Sequence, residues 1–249
     1  MSLLEVENLQ KSFGGVKAVQ GVTLSVDGGE LLALIGPNGA GKSTCFNMLN
    51  GQIRPDAGTV RLAGRDITGL APRLIWRLGV GRTFQITATF GSLSVLENVQ
   101  MALLSHSSRL MGLWRPVSAE DPAPAMALLE RVGMAEQAAR PCGVLAYGDL
   151  KRVELAIALA NTPRLLLMDE PTAGMAPSER VALMALTARI ARESSIAVLF
   201  TEHDMDVVFT HADRLLVLDR GRMLAEGKPS DVRENPRVRE VYLGHKGDH

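Results

Sequence analysis

The chain has 249 residues, 46% hydrophobic and 22% charged, which suffices for one large α/β domain or a core with a smaller lobe. Basic and acidic residues number 27 each, so the formal net charge is zero, which argues against nucleic-acid binding through bulk electrostatics. No apolar run approaches the length of a membrane span, and Glu5 and Glu7 stand where a signal peptide would be basic and then apolar. A cytosolic chain is expected, whose membrane role, if it has one, comes through a partner. Cys45 and Cys142 lack metal or disulfide spacing and read as free thiols.

Residues 3–35 form a β-rich opening: Leu4, Val6 and Leu9 begin it, Val22, Leu24 and Val26 alternate, and Asp27-Gly28-Gly29 is a turn. Phe13, before Gly14-Gly15, is a core aromatic by default. The apolar run Leu31–Ile35 predicts a strand, followed by Gly36-Pro37-Asn38-Gly39-Ala40-Gly41-Lys42-Ser43-Thr44 and a helix from about Lys42. Strand, glycine-rich loop and helix are the setting of a phosphate-binding loop. The glycines let backbone N–H groups turn inward, and the new helix adds the positive end of its dipole. Lys42 brings a charge to the β- and γ-phosphates, and the Ser43 hydroxyl can ligate Mg²⁺. The chain therefore binds a nucleoside triphosphate.

The helix ends at Gly51, Arg54–Gly58 is a turn, and 59–63 is a short strand. A helix over 72–78 and a strand over 80–84 ending at Gln85 follow. Residues 86–147 read as a mainly helical lobe. Ser94 caps a helix with Glu97 in capping-box spacing, 105–124 is loop-like around Trp114, Pro116, Pro122 and Pro124, and 125–132 is helical. The core resumes with a helix over 148–160 and the strand Leu165–Met168, which ends in Asp169-Glu170. A helix from Ser178, a strand over 196–200 ending in Thr201-Glu202-His203, a strand pair around Gly221 and a helix over 229–243 interrupted at Pro236 complete the chain. Apolar strands alternating with helices predict a largely parallel sheet covered on both faces.

In such a sheet ligands gather at the carboxyl ends of strands. Asp169 is then placed to hold Mg²⁺ and Glu170 to polarise the attacking water. The alternative is an exposed turn before Pro171. His203 is either a surface or helix-capping residue or a contact to the γ-phosphate. Gln85 is either a polar strand end or a contact to Mg²⁺ and water.

The order of phosphate loop, Gln85 after Arg82-Thr83-Phe84, Leu145-Ala146-Tyr147-Gly148-Asp149, Leu165 to Glu170, and His203 resembles the ATP-binding subunits of ABC transporters. The resemblance covers about Leu3 to Leu243. Leu-Ala-Tyr-Gly followed by Arg152-Val153-Glu154, Ala173–Pro177, Leu224–Gly227, Asn235-Pro236 and Tyr242–Gly244 are similar to the branched-chain amino acid importers within that family. Where the family usually has Leu-Ser-Gly-Gly-Gln, Ala146 replaces the serine, and Tyr147 and Asp149 replace glycine and glutamine.

The resemblance implies an α/β P-loop NTPase fold. It has a RecA-like, mainly parallel sheet core, an N-terminal antiparallel β subdomain and an inserted α-helical subdomain. A single domain would span 3–244, with 3–85 and 148–244 as core and β subdomain and 86–147 as the helical subdomain. It implies that Phe13 stacks on adenine, that Gly36 to Thr44 hold the phosphates, and that Ser43, Gln85 and Asp169 hold Mg²⁺. Glu170 becomes the catalytic base, His203 the switch residue, and Ala146, Gly148 and Asp149 a contact to ATP bound on a facing subunit. The implied partners are a second ATPase subunit, two transmembrane permease subunits and a periplasmic solute-binding protein, with the chain at the cytoplasmic face of the inner membrane. Two rivals stand beside this reading. A soluble ABC ATPase acting on DNA or ribosomes usually has two such domains and a basic face. A P-loop kinase would lack the helical lobe and would not need Glu170 beside Asp169.

Overall fold

The computed structural model describes residues 2–83, 89–106 and 121–243. Its opening strands are β1 (Leu4–Phe13), β2 (Val16–Val26) and β3 (Leu31–Ile35). β4 (Ala57–Leu62) and β5 (Arg65–Asp66) join the first two in an antiparallel sheet of order β2-β1-β4-β5. β3 goes elsewhere, into the centre of a second sheet with β6 (Val80–Thr83), β7 (Leu165–Asp169), β8 (Ala197–Thr201), β9 (Arg214–Asp219) and β10 (Arg222–Gly227). The order is β10-β9-β3-β8-β7-β6, parallel except for β10. This agrees with the expected mainly parallel core and antiparallel β subdomain.

The division of the core follows from the two-residue period of a strand, which sends successive side chains to opposite faces. Leu32, Leu34, Leu165, Leu167, Ala197, Leu199, Leu216 and Leu218 face the antiparallel sheet and pack with Leu4, Val6 and Val60 and with helix α1 (Lys42–Leu49) through Phe46 and Met48. Leu31, Ala33, Ile35, Leu166, Met168, Val198, Phe200, Leu215 and Val217 face the other way, toward the remaining helices. Strands buried on both faces are near-continuously apolar, which is why β3, and β7 and β8 up to their last residues Asp169 and Thr201, read as unbroken runs.

Helix α2 (Pro72–Arg77) leads into β6; α3 (Val95–His106) and α4 (Ala123–Arg131) pack on α5 (Tyr147–Leu159), which lies against β6. The capping box of α3 forms as expected. The Glu97 carboxylate accepts from Ser94 N and Oγ at 2.8 Å each, and Ser94 Oγ accepts from Glu97 N at 3.2 Å. Buried Asn98 ties the lobe together, accepting from Phe90 N at 2.8 Å and donating to Ser94 O at 2.9 Å and Cys142 Sγ at 3.2 Å. Both cysteines are free and buried. At both ends the stretch read as loop-like over 105–124 is helical: α3 runs to His106, and α4 starts at Ala123, where Pro124, lacking an N–H, is tolerated in a first turn. Trp114 and Pro116 lie outside the described residues.

Then come α6 (Pro177–Glu193), α7 (Met205–His211), α8 (Pro229–Glu234) and α9 (Pro236–Leu243), the last two divided at Pro236 as expected. β5 and α7 were not anticipated. One is a polar dipeptide, the other a helix of 7 residues, too short for periodicity to mark. Among the described residues no helix is long and apolar enough to cross a membrane.

Candidate active site

The loop after β3 curls because of two close approaches. A Cβ on Gly36 (φ 156°) would lie 2.3 Å from Leu218 O, and one on Gly41 (φ 101°) would lie 2.4 Å from Ala18 O. Only glycine lets the loop pass between the ends of β9 and β2. Gly221 N, in the β9–β10 turn, donates to Ala40 O at 2.9 Å and braces the loop from outside. Gly41 is the N-cap of α1, offers no side-chain cap, and the first turn holds no acidic residue. The N–H groups of that first turn have no acceptor within the helix, so an anion fits there. Ser43 is exposed at this mouth and Thr44 is half-buried; Pro37, Asn38 and Gly39 form the loop's outer rim, half-buried to exposed.

Lys42 is only 7% exposed. Its Nζ donates to Gly36 O at 2.7 Å and Pro37 O at 3.1 Å. Burial pulls its pKa below the ordinary lysine value, and the charges of Glu170 and Asp169 oppose that shift. Loop, ammonium and acid pair therefore share one electrostatic neighbourhood, although the acids lie far along the chain.

Asp169 closes β7 beside the end of β8. Its Oδ1 accepts from Thr201 Oγ1 at 2.7 Å, and its Oδ2 lies 3.7 Å from Arg82 Nη2. Arg82 also donates to Asn47 Oδ1 at 3.1 Å and Gln52 Oε1 at 3.0 Å; burial lowers its pKa and Asp169 opposes this. Glu170 has φ 49°, a left-handed conformation that is uncommon for a non-glycine residue and concentrates at functional sites. Its N–H is shared between Thr201 Oγ1 at 3.0 Å and Thr201 O at 3.1 Å. The resulting turn brings Glu170 Oε1 to 2.9 Å from His203 Nε2. With side-chain exposures of 12% for Asp169 and 25% for Glu170, the alternative of a freely exposed acidic turn is ruled out.

His203 does not cap a helix. The cap of α7 is Asp204, whose carboxylate accepts from Asp206 N at 3.0 Å and Val207 N at 3.3 Å, and from Arg180 Nη1 at 2.6 Å. The Arg180 hydrogen bond, more than the helix amides, holds the Asp204 carboxyl below the usual carboxylate range. Its share of stability is thus complete above the ordinary aspartate pKa and is lost as pH falls through the depressed value. Asp204→Ala is expected to lower stability by about 1–2 kcal/mol, or about 2–8 °C in Tm, with a smaller deficit at acid pH. Melting curves of parent and variant at neutral and acid pH measure this.

Glu202, next to His203, is buried. Its Oε1 accepts from Thr172 N at 2.9 Å and Thr172 Oγ1 at 2.7 Å, and its Oε2 from His203 N at 3.2 Å. Thr201 and Glu202 thus stitch the loop after β7 to the loop after β8. Sequence reading assigned neither of them a role, nor Arg82. For Thr201 and Glu202 the available signal was a pair of polar residues closing an apolar strand; Arg82, inside β6, had none.

Phe13 ends β1 with 49% of its surface exposed, so the default reading as a core aromatic is overturned. Its ring lies 5.6 Å from Lys11 Nζ, which also pairs with Asp56 at 2.7 Å. Gln85 lies outside the described residues. Ala146 is the N-cap of α5 and, having no hydroxyl, makes no side-chain cap. Gly148 is buried, and a Cβ there would meet Glu179 Oε1 at 2.8 Å; Asp149 sits in the first turn of α5. The main neighbours of α5 are α3, α4, α6 and β6. Within one chain, then, Lys42, Asp169, Glu170 and His203 come together around the phosphate loop, while Ala146, Gly148 and Asp149 form a separate helix terminus. That terminus has an exposed neighbour in Tyr147, whose ring lies 5.3 Å from Lys151 Nζ.

An ion such as Mg²⁺ suits this donor set. Among the described residues no group of three His, Cys, Asp or Glu side chains forms a cage. A single strand-end carboxylate, Asp169, and an exposed serine hydroxyl at the mouth of the loop, Ser43, match a cation that keeps its waters and is held mainly by phosphates.

Residues 19–173 match the family described as ABC transporter, and 222–248 match the family described as branched-chain amino acid ATP-binding cassette transporter. The chain is 41% identical to the high-affinity branched-chain amino acid transport ATP-binding protein BraF of Pseudomonas aeruginosa, covering 97% of this chain and 98% of that protein. It is 39% identical to the corresponding LivG of Escherichia coli K12 with the same coverage. The fold superposes on the ADP conformation of MJ1267, an ATP-binding cassette of an ABC transporter, with a TM-score of 0.89 and 33% identity, covering 98% of this chain and 99% of the other. It also matches the dimeric post-hydrolysis cassette MJ0796 bound to ADP and Pi, with a TM-score of 0.75 and 25% identity over 91% and 98% of the two chains.

Proposed function

Since this chain belongs to the ABC transporter family, we propose that its ATP hydrolysis energises an importer for branched-chain amino acids. What supports this reading of the site is that Lys42, at an uncapped helix terminus, feels the charges of Asp169 and Glu170, and that Glu170 is hydrogen-bonded to His203. The solute class comes from the branched-chain amino acid names of relatives alike over nearly the whole chain, and from the match of the C-terminal segment.

In this reading the exposed Phe13 ring offers a face to adenine by dispersion and offset stacking. Gly36, Pro37, Asn38, Gly39, Ala40, Gly41, Lys42, Ser43 and Thr44 hold the phosphates through backbone N–H groups and the lysine charge. Ser43, Asp169 and Gln85 hold Mg²⁺, which supplies charge neutralisation on the phosphate oxygens. Glu170 accepts the proton of the attacking water. His203, hydrogen-bonded to Glu170, orients that carboxylate and contacts the γ-phosphate side. Ala146, Gly148 and Asp149 serve the nucleotide of a facing subunit, since a helix N-terminus favours an anion. ATP shared by two subunits favours their closed pairing, and hydrolysis removes the phosphate that joins them.

The single domain spans 3–244, and its helical subdomain, 86–147, receives a short helix of the membrane subunit. The assembly contains a second ATPase subunit, two transmembrane permease subunits and a periplasmic solute-binding protein, and no nucleic acid. The chain works at the cytoplasmic face of the inner membrane.

The test is affinity purification of the chain from its own cells, followed by reconstitution of what comes with it. Permease subunits should co-purify, and ATP-driven uptake should respond to leucine, isoleucine or valine presented by the binding protein. Uptake confined to another amino acid or an amide would overturn the solute. Co-purification with nucleic acid or ribosomes, without membrane subunits, would overturn the transport role.

A further inference from the structure

We propose that Thr201 is a positioning residue that sets Asp169 and Glu170 in place together, through its one hydroxyl. The inference rests on the reading of Asp169 as an Mg²⁺ ligand and of Glu170 as the proton acceptor.

A threonine hydroxyl has one hydrogen to give and lone pairs to accept with. At Thr201 the hydrogen goes to Asp169 Oδ1 at 2.7 Å, and a lone pair takes the N–H of Glu170 at 3.0 Å. The residue is 0% exposed, so water is not at hand to replace either bond. Register puts it there. Asp169 and Thr201 are partners across the parallel pair β7–β8, the last pair of that ladder. A hydroxyl at this position on β8 therefore meets the carboxylate at the end of β7, and a valine or isoleucine would fill the same space without reaching it.

Each bond has its own consequence. Donation to Oδ1 fixes the rotation of the Asp169 carboxylate, whose Oδ2 lies 3.7 Å from Arg82 Nη2. Outer partners of this kind orient a metal-binding carboxylate. Acceptance from Glu170 N supports the turn at φ 49° that carries Oε1 to His203 Nε2. Without the hydroxyl, Glu170 N retains its bond to Thr201 O at 3.1 Å and loses the one at 3.0 Å. The carboxylate that binds the ion and the one that takes the proton thus share one buried anchor.

The experiment uses the full chain and a non-hydrolysable ATP analogue, titrated calorimetrically with Mg²⁺ and again with EDTA. Thr201→Val should bind the analogue in EDTA as the parent does and lose about tenfold of the gain in affinity that Mg²⁺ confers. Thr201→Ser, which keeps the hydroxyl, should return to the parent value. Thr201→Ala, smaller and free of any steric demand, should behave as Val does and serves if Val fails to fold. A loss shared equally by Ser, Val and Ala would mean that the residue acts by packing, and would overturn the proposal. So would an unchanged Mg²⁺ gain in Val and Ala. Failure of the parent to bind the analogue at all would instead sink the nucleotide site itself, and this inference with it.

Discussion

Glu170→Gln is expected to bind ATP as the parent does and to turn it over about 10²–10⁴-fold more slowly, the usual share of a positioned proton acceptor. The substitution is narrow. An amide keeps the length of the side chain and an oxygen at the position of Oε1, so the contact with His203 Nε2 at 2.9 Å survives. The backbone turn at φ 49° and its bonds to Thr201 use only the main-chain N–H of residue 170 and are untouched. Removed are the negative charge and the basicity. Lys42 loses one of the two acids that oppose the lowering of its pKa and keeps the other, Asp169. Steady-state hydrolysis in the reconstituted complex and calorimetric ATP binding check the two halves separately. Near-parent turnover would move the base to another residue. A loss of binding equal to the loss of rate would show that the carboxylate acts in the ground state.

How much of this was open to sequence reading depends on the distance over which each cause acts. The phosphate loop was fully legible, because strand, loop and helix are contiguous and Gly36, Gly41 and Lys42 act within one short segment. The alternation that divides the core was legible for the same reason, since the two faces of β3, β7 and β8 are successive residues. Asp169 and Glu170 were legible as a position at a strand end. Their environment was not: Thr201 and Arg82 reach Asp169 across neighbouring strands, and that pairing is a property of strand order, which local patterns do not carry. Phe13 shows the opposite failure. Composition favours a buried aromatic, but β1 ends in a tight turn beyond the sheet's apolar face, so the ring stands in solvent. The same limit applies at Ala146. A helix start was readable there, yet that Gly148 packs against the Glu179 carboxylate at the start of α6 is a tertiary fact.

Lys42→Ala is expected to weaken ATP binding by about 10- to 150-fold, the equivalent of about 1.5–3 kcal/mol for hydrogen bonds to a charged group. Little of that loss should appear in the unliganded protein. The ammonium is buried, and burial already opposes its charge, so the folded chain holds this proton less readily than the unfolded chain. A group of that kind makes stability rise with pH as the ordinary lysine value is approached, because the unfolded state binds more protons. Lys42→Met, which fills the space without the charge, should therefore melt no lower than the parent at neutral pH and should lose part of the rise on the alkaline side. In the free protein Nζ donates to Gly36 O and Pro37 O, contacts that hold the ammonium inside the loop's curve. Phosphate oxygens arriving at the first turn of α1 offer the same donor a full negative charge. The cost of burial is then offset only when nucleotide is bound, so the substitution should separate affinity from stability. Calorimetry with ATP gives the first quantity and melting curves across pH the second. Parent-like affinity in both variants would mean that the loop amides suffice and that the lysine charge is directed elsewhere. A collapse of melting temperature in Lys42→Met would make the residue a structural brace of the loop.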